Sequence, residues 1–224
     1  MSLGTPRVHF RVADSTNERA RELAERGAPH GTLVTAAEQA AGRGRQGRTW
    51  TAPRGRAILC SLVLHKVPRL LPLTAGVAVA EVVGADARVK WPNDVLIAGR
   101  KVAGILVEGR PQEGWAVLGI GINVAVRPED LPPDLRDRAG TLGLEPNAIE
   151  PMLARLLGSL EHWIAAGADS VLAAVRARDE LLGKQLRWTG GQGRGGGIDA
   201  DGRLIVVTDA GRLELDAGEV HLVG

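Results

Sequence analysis

The chain has 224 residues, with 28 basic and 26 acidic side chains and a formal net charge of +2, so it is not a polycation that would hold nucleic acid by bulk charge. A hydrophobic share of 44% beside 24% charged residues gives a globular chain with a proper core and excludes disorder, collagen and coiled coil. A single cysteine, Cys60, excludes a disulfide framework and a thiolate metal cluster, and no apolar run reaches the roughly 18 residues of a membrane span. With no basic flank and apolar stretch at the start, a cytoplasmic place is expected.

In chain order, Ser15-Thr16-Asn17-Glu18 reads as a helix start, Ser15 capping a free N–H and Glu18 reaching back in a capping box. Ala20, Leu23 and Ala24 give the apolar spacing and Gly27 the stop. Strands are expected over 31–37 and 57–65. Between them, 41–56 has no period and reads as a long Gly/Arg loop. Such loops inside a compact domain are usually functional. Cys60 falls in the second of these apolar runs, so a buried core thiol is expected. Residues 70–83 are apolar all round and predict a buried helix. Strand-like pieces follow at 89–91, 95–98, 101–108 and 115–126, with a hairpin turn at Gly99-Arg100. The clearest helix covers 149–164, where Met152, Leu153, Leu156, Leu157, Leu160 and Ile164 form one stripe and Asn147 is the cap. A shorter helix is expected over 170–182. After Gly183, short β-prone pieces alternate with Asp-Gly and Ala-Gly turns, a meander too small to stand alone. The expected division is 1–182 and 183–224.

Four segments carry chemistry. In Gly42-Arg43-Gly44-Arg45-Gln46-Gly47-Arg48 the glycines let backbone N–H groups approach an anion, and three arginine forks match phosphate oxygens. A flexible basic tail is the plainer alternative, but this segment lies between two core strands and leads to Trp50. In Lys90-Trp91-Pro92-Asn93-Asp94 the proline forces an extended or turning chain. Ordinary turn residues would explain Pro92, Asn93 and Asp94, though not Lys90 and Trp91 beside them. In 101–108, strict alternation puts Lys101, Ala103 and Ile105 on one face, and Val102, Gly104 and Leu106 on the other. Gly104 leaves room for a ligand or a second backbone, and Gly119-Ile120-Gly121-Ile122-Asn123 repeats the device. The five histidines have no metal spacing and no evident catalytic partner.

Taken together and in this order, Ser15-Thr16-Asn17, the Gly42–Arg48 loop with Trp50, Lys90–Asp94, 101–108 and 119–123 resemble the biotin protein ligases, or biotin–[acetyl-CoA-carboxylase] ligases. The lipoyl and octanoyl transferases share the fold without the Gly-Arg-Gly-Arg and Lys-Trp-Pro-Asn-Asp segments. The resemblance implies an α+β fold: a class II tRNA-synthetase-like catalytic domain with a mixed β-sheet, plus a small C-terminal SH3-like β-barrel. With Ser15 so early, no winged helix-turn-helix precedes the match, and the monofunctional form without operator binding is expected.

The implied reaction has two steps. The biotin carboxylate attacks the α-phosphate of ATP, giving biotinyl-5′-AMP and pyrophosphate. A lysine of a biotin carboxyl carrier domain then attacks the mixed anhydride and releases AMP. By resemblance, Lys101, Arg45 and Asp94 are the catalytic candidates. Ser15, Thr16 and Gln39 serve the ureido ring of biotin. Gly42, Gly104 and Gly119 line its slot, Trp50 covers it, and Arg43, Arg45 and Lys101 meet its carboxylate. Phosphate and nucleotide contacts fall to Arg43, Arg45, Arg48, Lys90, Asn93, Lys101 and Asn123. Mg²⁺ is expected on the ATP phosphates, with no metal cage in the chain. Residues 140–143 lack an aromatic to stack on adenine, so those contacts stay unassigned. The expected partners are biotin, ATP and the carrier domain, with no nucleic acid or membrane and with homodimerisation left open. Two alternatives remain at this point: a ligase for lipoate on the same fold, and a nucleic-acid module using Arg43, Arg45 and Arg48, whose binding would fall steeply with salt.

Overall fold

The computed structural model describes residues 2–110, 113–216 and 218–223. Seven strands form the larger sheet: β1 (Arg7–Phe10), β2 (Leu33–Ala36), β3 (Ala57–Leu64), β4 (Arg88–Lys90), β5 (Asp94–Ile97), β6 (Arg100–Arg110) and β7 (Trp115–Asn123). Their order is β1-β2-β3-β7-β6-β5-β4. Only β1 and β2 run parallel; the other pairs are antiparallel, so the sheet is mixed.

The period of two sorts β3 and β7 onto two faces. Ile58, Cys60, Leu62, Leu64, Leu118, Ile120 and Ile122 enter the main core beneath three helices: α2 (Leu71–Val83), α4 (Ile149–Ala165) and α5 (Ala168–Ala177). Helix α2 is buried on nearly every side because α4, α5 and the sheet all pack on it, as its uninterrupted apolar sequence predicts. Cys60 is 1% exposed, and burial pushes its thiol up to about 12, which leaves it an inert core group. The opposite face carries α1 (Thr16–Glu25), with Ala20 and Ala24 packed on Val34, Val63 and Val117. Farther along, the same face is left to glycines and polar groups, and the cavity described below opens there.

The C-terminal residues form a five-stranded antiparallel sheet in the order β11-β10-β9-β8-β12. Its strands are β8 (Gln185–Trp188), β9 (Gly191–Ile198), β10 (Leu204–Thr208), β11 (Gly211–Leu215) and β12 (Val220–Leu222). Leu186, Ile198, Leu204, Val206 and Val220 belong to the same apolar cluster as Leu71 and Trp91. The Trp91 indole N–H also donates to the Gly202 carbonyl at 3.0 Å. The expected division at Gly183 therefore falls at a turn, while the core runs on across it.

Several local expectations are corrected. Ser15 occupies the N-cap position of α1 with extended backbone, but its side chain caps nothing. Instead Thr16 N donates to Gln39 Oε1 at 2.7 Å, and Glu18 pairs with Arg21 and Arg43. Asn147 lies inside a 3-10 turn (Pro146–Ala148) and does not cap α4. The β5–β6 turn is Ala98-Gly99, one residue earlier than expected, with both residues at positive φ as a tight right-twisted hairpin requires. Helix α5 stops at Ala177 because the chain then leaves it to pair with β4: Val89 N donates to Arg178 O and Glu180 N to Val89 O. Of strand β9 only its last residue, Ile198, was expected to be β-prone, since glycine disfavours strands. Its glycines are demanded by packing: a Cβ on Gly195 would stand 2.0 Å from the Leu181 carbonyl oxygen and one on Gly193 2.5 Å from that of Val207.

Candidate functional site

The site face of β7 reads Gly119, Gly121, Asn123, while Leu118, Ile120 and Ile122 point into the core. Register sets two rows across the sheet: Ser61, Gly119 and Leu106, then Leu59, Gly121, Gly104 and Asp94. Three of these positions lack a side chain, so the rows form a trough. Two side chains lie on its floor. Asn17 sits over Gly119, where a Cβ would be 2.0 Å from its Oδ1. The Trp50 ring lies over the Gly104–Gly121 pair, where Cβ atoms would be 2.9 Å and 2.5 Å from ring carbons.

Lys101 reaches this face through an irregularity. Strict alternation predicts Lys101 opposite Gly104. Register, however, pairs Val95 with Ala103 and Leu96 with Lys101, so Val102 is an extra residue bulged from β6. Val102 and Ala103 are both buried in the core, and Lys101 is thrown onto the face of Gly104. Its ammonium stands 2.6 Å from Asp94 Oδ1 and 5.6 Å from the Trp50 ring centroid. Asp94 Oδ1 is buried; its approach to Lys101 is an ion contact without the alignment of a hydrogen bond.

The loop between β2 and β3 is not structureless as expected. Gly44 N donates to Arg48 O and Trp50 N to Gly42 O, making a narrow hairpin whose tip, Gln46-Gly47, has positive φ. Gly42 is obligatory at its base: a Cβ would lie 2.3 Å from the Trp50 carbonyl oxygen. The three arginines are not equivalent. Arg43 turns outward to Glu18 and Glu108, both at 3.0 Å. Arg48 pairs with Glu219 of the C-terminal sheet. Arg45 points inward: it donates to Asn93 Oδ1 at 3.1 Å and to the Gly218 carbonyl at 3.4 Å, and burial lowers its pKa.

Together these groups enclose a cavity of about 710 Å³. Every site residue expected from sequence lines it except Gly42, which stands just behind Trp50 and Gln39. At one end Ser15, Thr16 and Asn17 are at most 4% exposed. Ser61 Oγ lies 2.8 Å from Thr16 Oγ1 and 2.6 Å from Asn17 Oδ1, and Gln39 Oε1 accepts from Thr16 Oγ1 at 3.0 Å. In the middle stand Lys101, Asp94, Arg45 and Lys90. Burial lowers the pKa of Lys90, with Asp94 opposing the shift. At the other end Asn123 donates to Gly140 O at 2.9 Å, and its Oδ1 is buried without a partner, as is Trp50 Nε1.

Sequence reasoning missed part of the wall. Leu131 and Leu135, from α3 (Pro133–Arg136) and the turn before it, form a small apolar cluster with Leu59, Trp50 and Ala139. Their spacing of four was a faint helical signal in a proline-rich stretch. Gly121 was legible as the same-face partner of Gly119. Glu219 and His221 also line the cavity, and no local pattern announces them because they arrive from the second sheet. No group of three or more His, Cys, Asp or Glu able to hold a metal ion occurs among the described residues, and no described helix is long and apolar enough to cross a membrane.

Residues 9–124 match the model of the biotin/lipoate A/B protein ligase family. The chain is 42% identical to the bifunctional ligase/repressor BirA of Bacillus subtilis (strain 168), over 98% of this chain and 75% of that protein. It is 34% identical to the biotin–[acetyl-CoA-carboxylase] ligase of Paracoccus denitrificans, over 94% of this chain and 98% of that one. The biotin protein ligase of Aquifex aeolicus, solved in complex with biotin and ATP, superposes with a TM-score of 0.81 at 27% identity, covering 98% and 99% of the two chains. A glycine-floored trough, a bulge that delivers one lysine to it, an arginine hairpin over it and these likenesses converge: the chain belongs to the biotin/lipoate A/B protein ligase family, within its biotin ligase branch.

Proposed function

We propose that this chain joins biotin to a lysine of a biotin carboxyl carrier domain by way of biotinyl-5′-AMP. The observation that carries the reading is the cavity's division. A trough whose glycines let Asn17 and the Trp50 ring lie low on its floor, edged by buried hydroxyls and amides, adjoins a cluster of cations, beyond which lies an apolar shelf. Biotin is a mostly apolar bicycle with a ureido group and a carboxylate, and suits the first part. Thr16, Ser15 and Gln39 offer hydrogen-bond partners to the ureido ring. Gly104, Gly119 and Gly121 let Trp50 and Asn17 sit low against the sheet, which leaves cavity space beside them for the rings, with Trp50 as an apolar wall.

The cations do the electrostatic part. A carboxylate and a triphosphate repel, by about 4 kcal/mol for two unit charges 4 Å apart at an effective dielectric of 20. Lys101 lies between the two parts and neutralises both the attacking carboxylate oxygen and the α-phosphate, on which charge builds in the transition state. Asp94 fixes the Lys101 ammonium from the far side. Arg45 and Lys90 take the departing pyrophosphate, with Arg48 at the rim and Asn93 holding Arg45 in direction. Arg43 secures the hairpin from outside through Glu18 and Glu108. The apolar shelf of Leu131 and Leu135 receives adenine, and Asn123 Oδ1 is the acceptor for its amino group. Mg²⁺ enters as the counterion of the nucleotide phosphates.

In the second step the carrier lysine attacks the carbonyl carbon of the anhydride, the C–O bond to AMP breaks, and the amine sheds a proton, with Asp94 as the nearest carboxylate on the cavity floor. The test is pyrophosphate release from ATP with either biotin or lipoate as the acid. Release that depends on biotin supports the reading. Release that depends on lipoate alone overturns it in favour of the sister activity.

A further inference from the structure

The C-terminal sheet reaches the cavity through one carboxylate. Glu219, immediately before β12, is ion-paired with Arg48 at the distal end of the arginine hairpin. One residue away, the Gly218 carbonyl accepts from Arg45 Nη2. The Glu219 charge also bears on Arg45 and Lys90, raising the pKa of each against the loss caused by burial. The hairpin is thus tied at two points: at its start by Arg43 to Glu18 and Glu108, and at its end by Arg48 to Glu219. Between the ties, Arg45 is the arginine aimed at Asn93 and the cavity. Two backbone hydrogen bonds shape the hairpin, and these side-chain ties, with the bonds of Arg45 to Asn93 and Gly218, set where it sits over the cavity.

We propose that Glu219 is a positioning residue of the adenylation site: from the C-terminal sheet, it holds Arg48 and thereby keeps the arginine hairpin over the nucleotide end of the cavity. This rests on the adenylation reading above. At the end assigned to biotin, Thr16 bonds to Gln39 and Ser61, whereas Glu219 pairs with Arg48 at the end of the arginine hairpin. Loss of the carboxylate therefore acts on ATP and spares biotin. Three properties follow. The effect falls on KM for ATP. It is expressed through Arg48. It needs the charge at 219 and the reach of a glutamate.

The experiment is biotin-dependent ATP–pyrophosphate exchange on the full chain, with biotin binding measured separately by titration calorimetry, for Glu219→Gln, Arg48→Met and the double variant. The Glu219–Arg48 pair is half-exposed, so the effect expected for Glu219→Gln is modest: KM for ATP rises roughly 5-fold, and the biotin dissociation constant stays within about 2-fold. Because the two side chains act as one unit, the double variant is no worse than Arg48→Met alone. An unchanged or lowered KM for ATP in Glu219→Gln overturns the proposal. So do equal losses for biotin and ATP, which mark a general loss of fold, and so do multiplied effects in the double variant, which mark two independent residues. If the unaltered chain shows no biotin-dependent exchange, the adenylation reading fails, and that outcome is distinct from all of these.

Discussion

Lys101 is one of only four lysines in a chain that writes nearly all its positive charge as arginine. A compact ammonium beside Asp94 and over Trp50 can face two anions at once, where a planar fork would commit to one. Replacing Lys101 by Met keeps the stem and removes the charge. The adenylation rate, read as pyrophosphate release, is predicted to fall at least about 100-fold; an unchanged rate contradicts the assignment. Lys90 gives a pH dependence. A lysine is charged below its pKa and neutral above it, and burial lowers that of Lys90, so its charge is lost at a lower pH than for an ordinary lysine near 10.4. Pyrophosphate exchange is predicted to decline early on the alkaline side. Lys90→Arg, which stays charged, moves that decline to higher pH, and coincident profiles for the two proteins contradict the assignment. The glycines of the trough make a stability test. A Cβ on Gly121 would sit 2.5 Å from the Trp50 ring, so Gly121→Ala is predicted to cost about 1–3 kcal/mol in denaturant unfolding. Gly158→Ala, with nothing near its Cβ in α4, serves as the control that does not destabilise.

At the scale of elements, the β6 bulge decides whether a site exists. Were residues 101–104 to alternate strictly, with Val102 paired and not bulged, the period of two would carry Lys101 to the core side of the sheet. Inserting one alanine between Lys101 and Val102 gives the new residue the place opposite Leu96 and turns Lys101 to the other face, so it is predicted to abolish adenylation even where circular dichroism still reports a folded sheet; retained activity contradicts the role of this register. The bulge also marks where sequence reading stops. Regular alternation was legible, so the strands over 57–65 and 115–126 and the buried helix over 70–83 were expected close to where they lie. The face of Lys101 was not, because a bulge is a departure from period with no local composition to announce it. The same holds for β9, whose glycines oppose a strand by propensity and permit one only through contacts with Leu181 and Val207 far along the chain. The motif residues gathered in the site, being short-range patterns, were legible almost completely. Glu219, Leu131 and Leu135 depend on tertiary approach and were not.

At the scale of the whole molecule, the two sheets form one continuous apolar core, from Leu71 and Trp91 to Leu204 and Val206. The second sheet is therefore in a position to serve the site, through the contacts of Gly218 and Glu219 with the arginine hairpin. The fold assembles a trough, a group of cations and an apolar shelf along one cavity, and the proposed reading assigns them to the three parts of a biotinyl adenylate. The most direct measurement incubates the chain with ATP, Mg²⁺ and a biotin carboxyl carrier domain, supplies biotin and lipoate together, and weighs the carrier. The account predicts a carrier heavier by one biotinyl group, with the modification absent when its acceptor lysine is replaced by arginine. An unmodified carrier, or one bearing lipoyl in place of biotinyl, would contradict it.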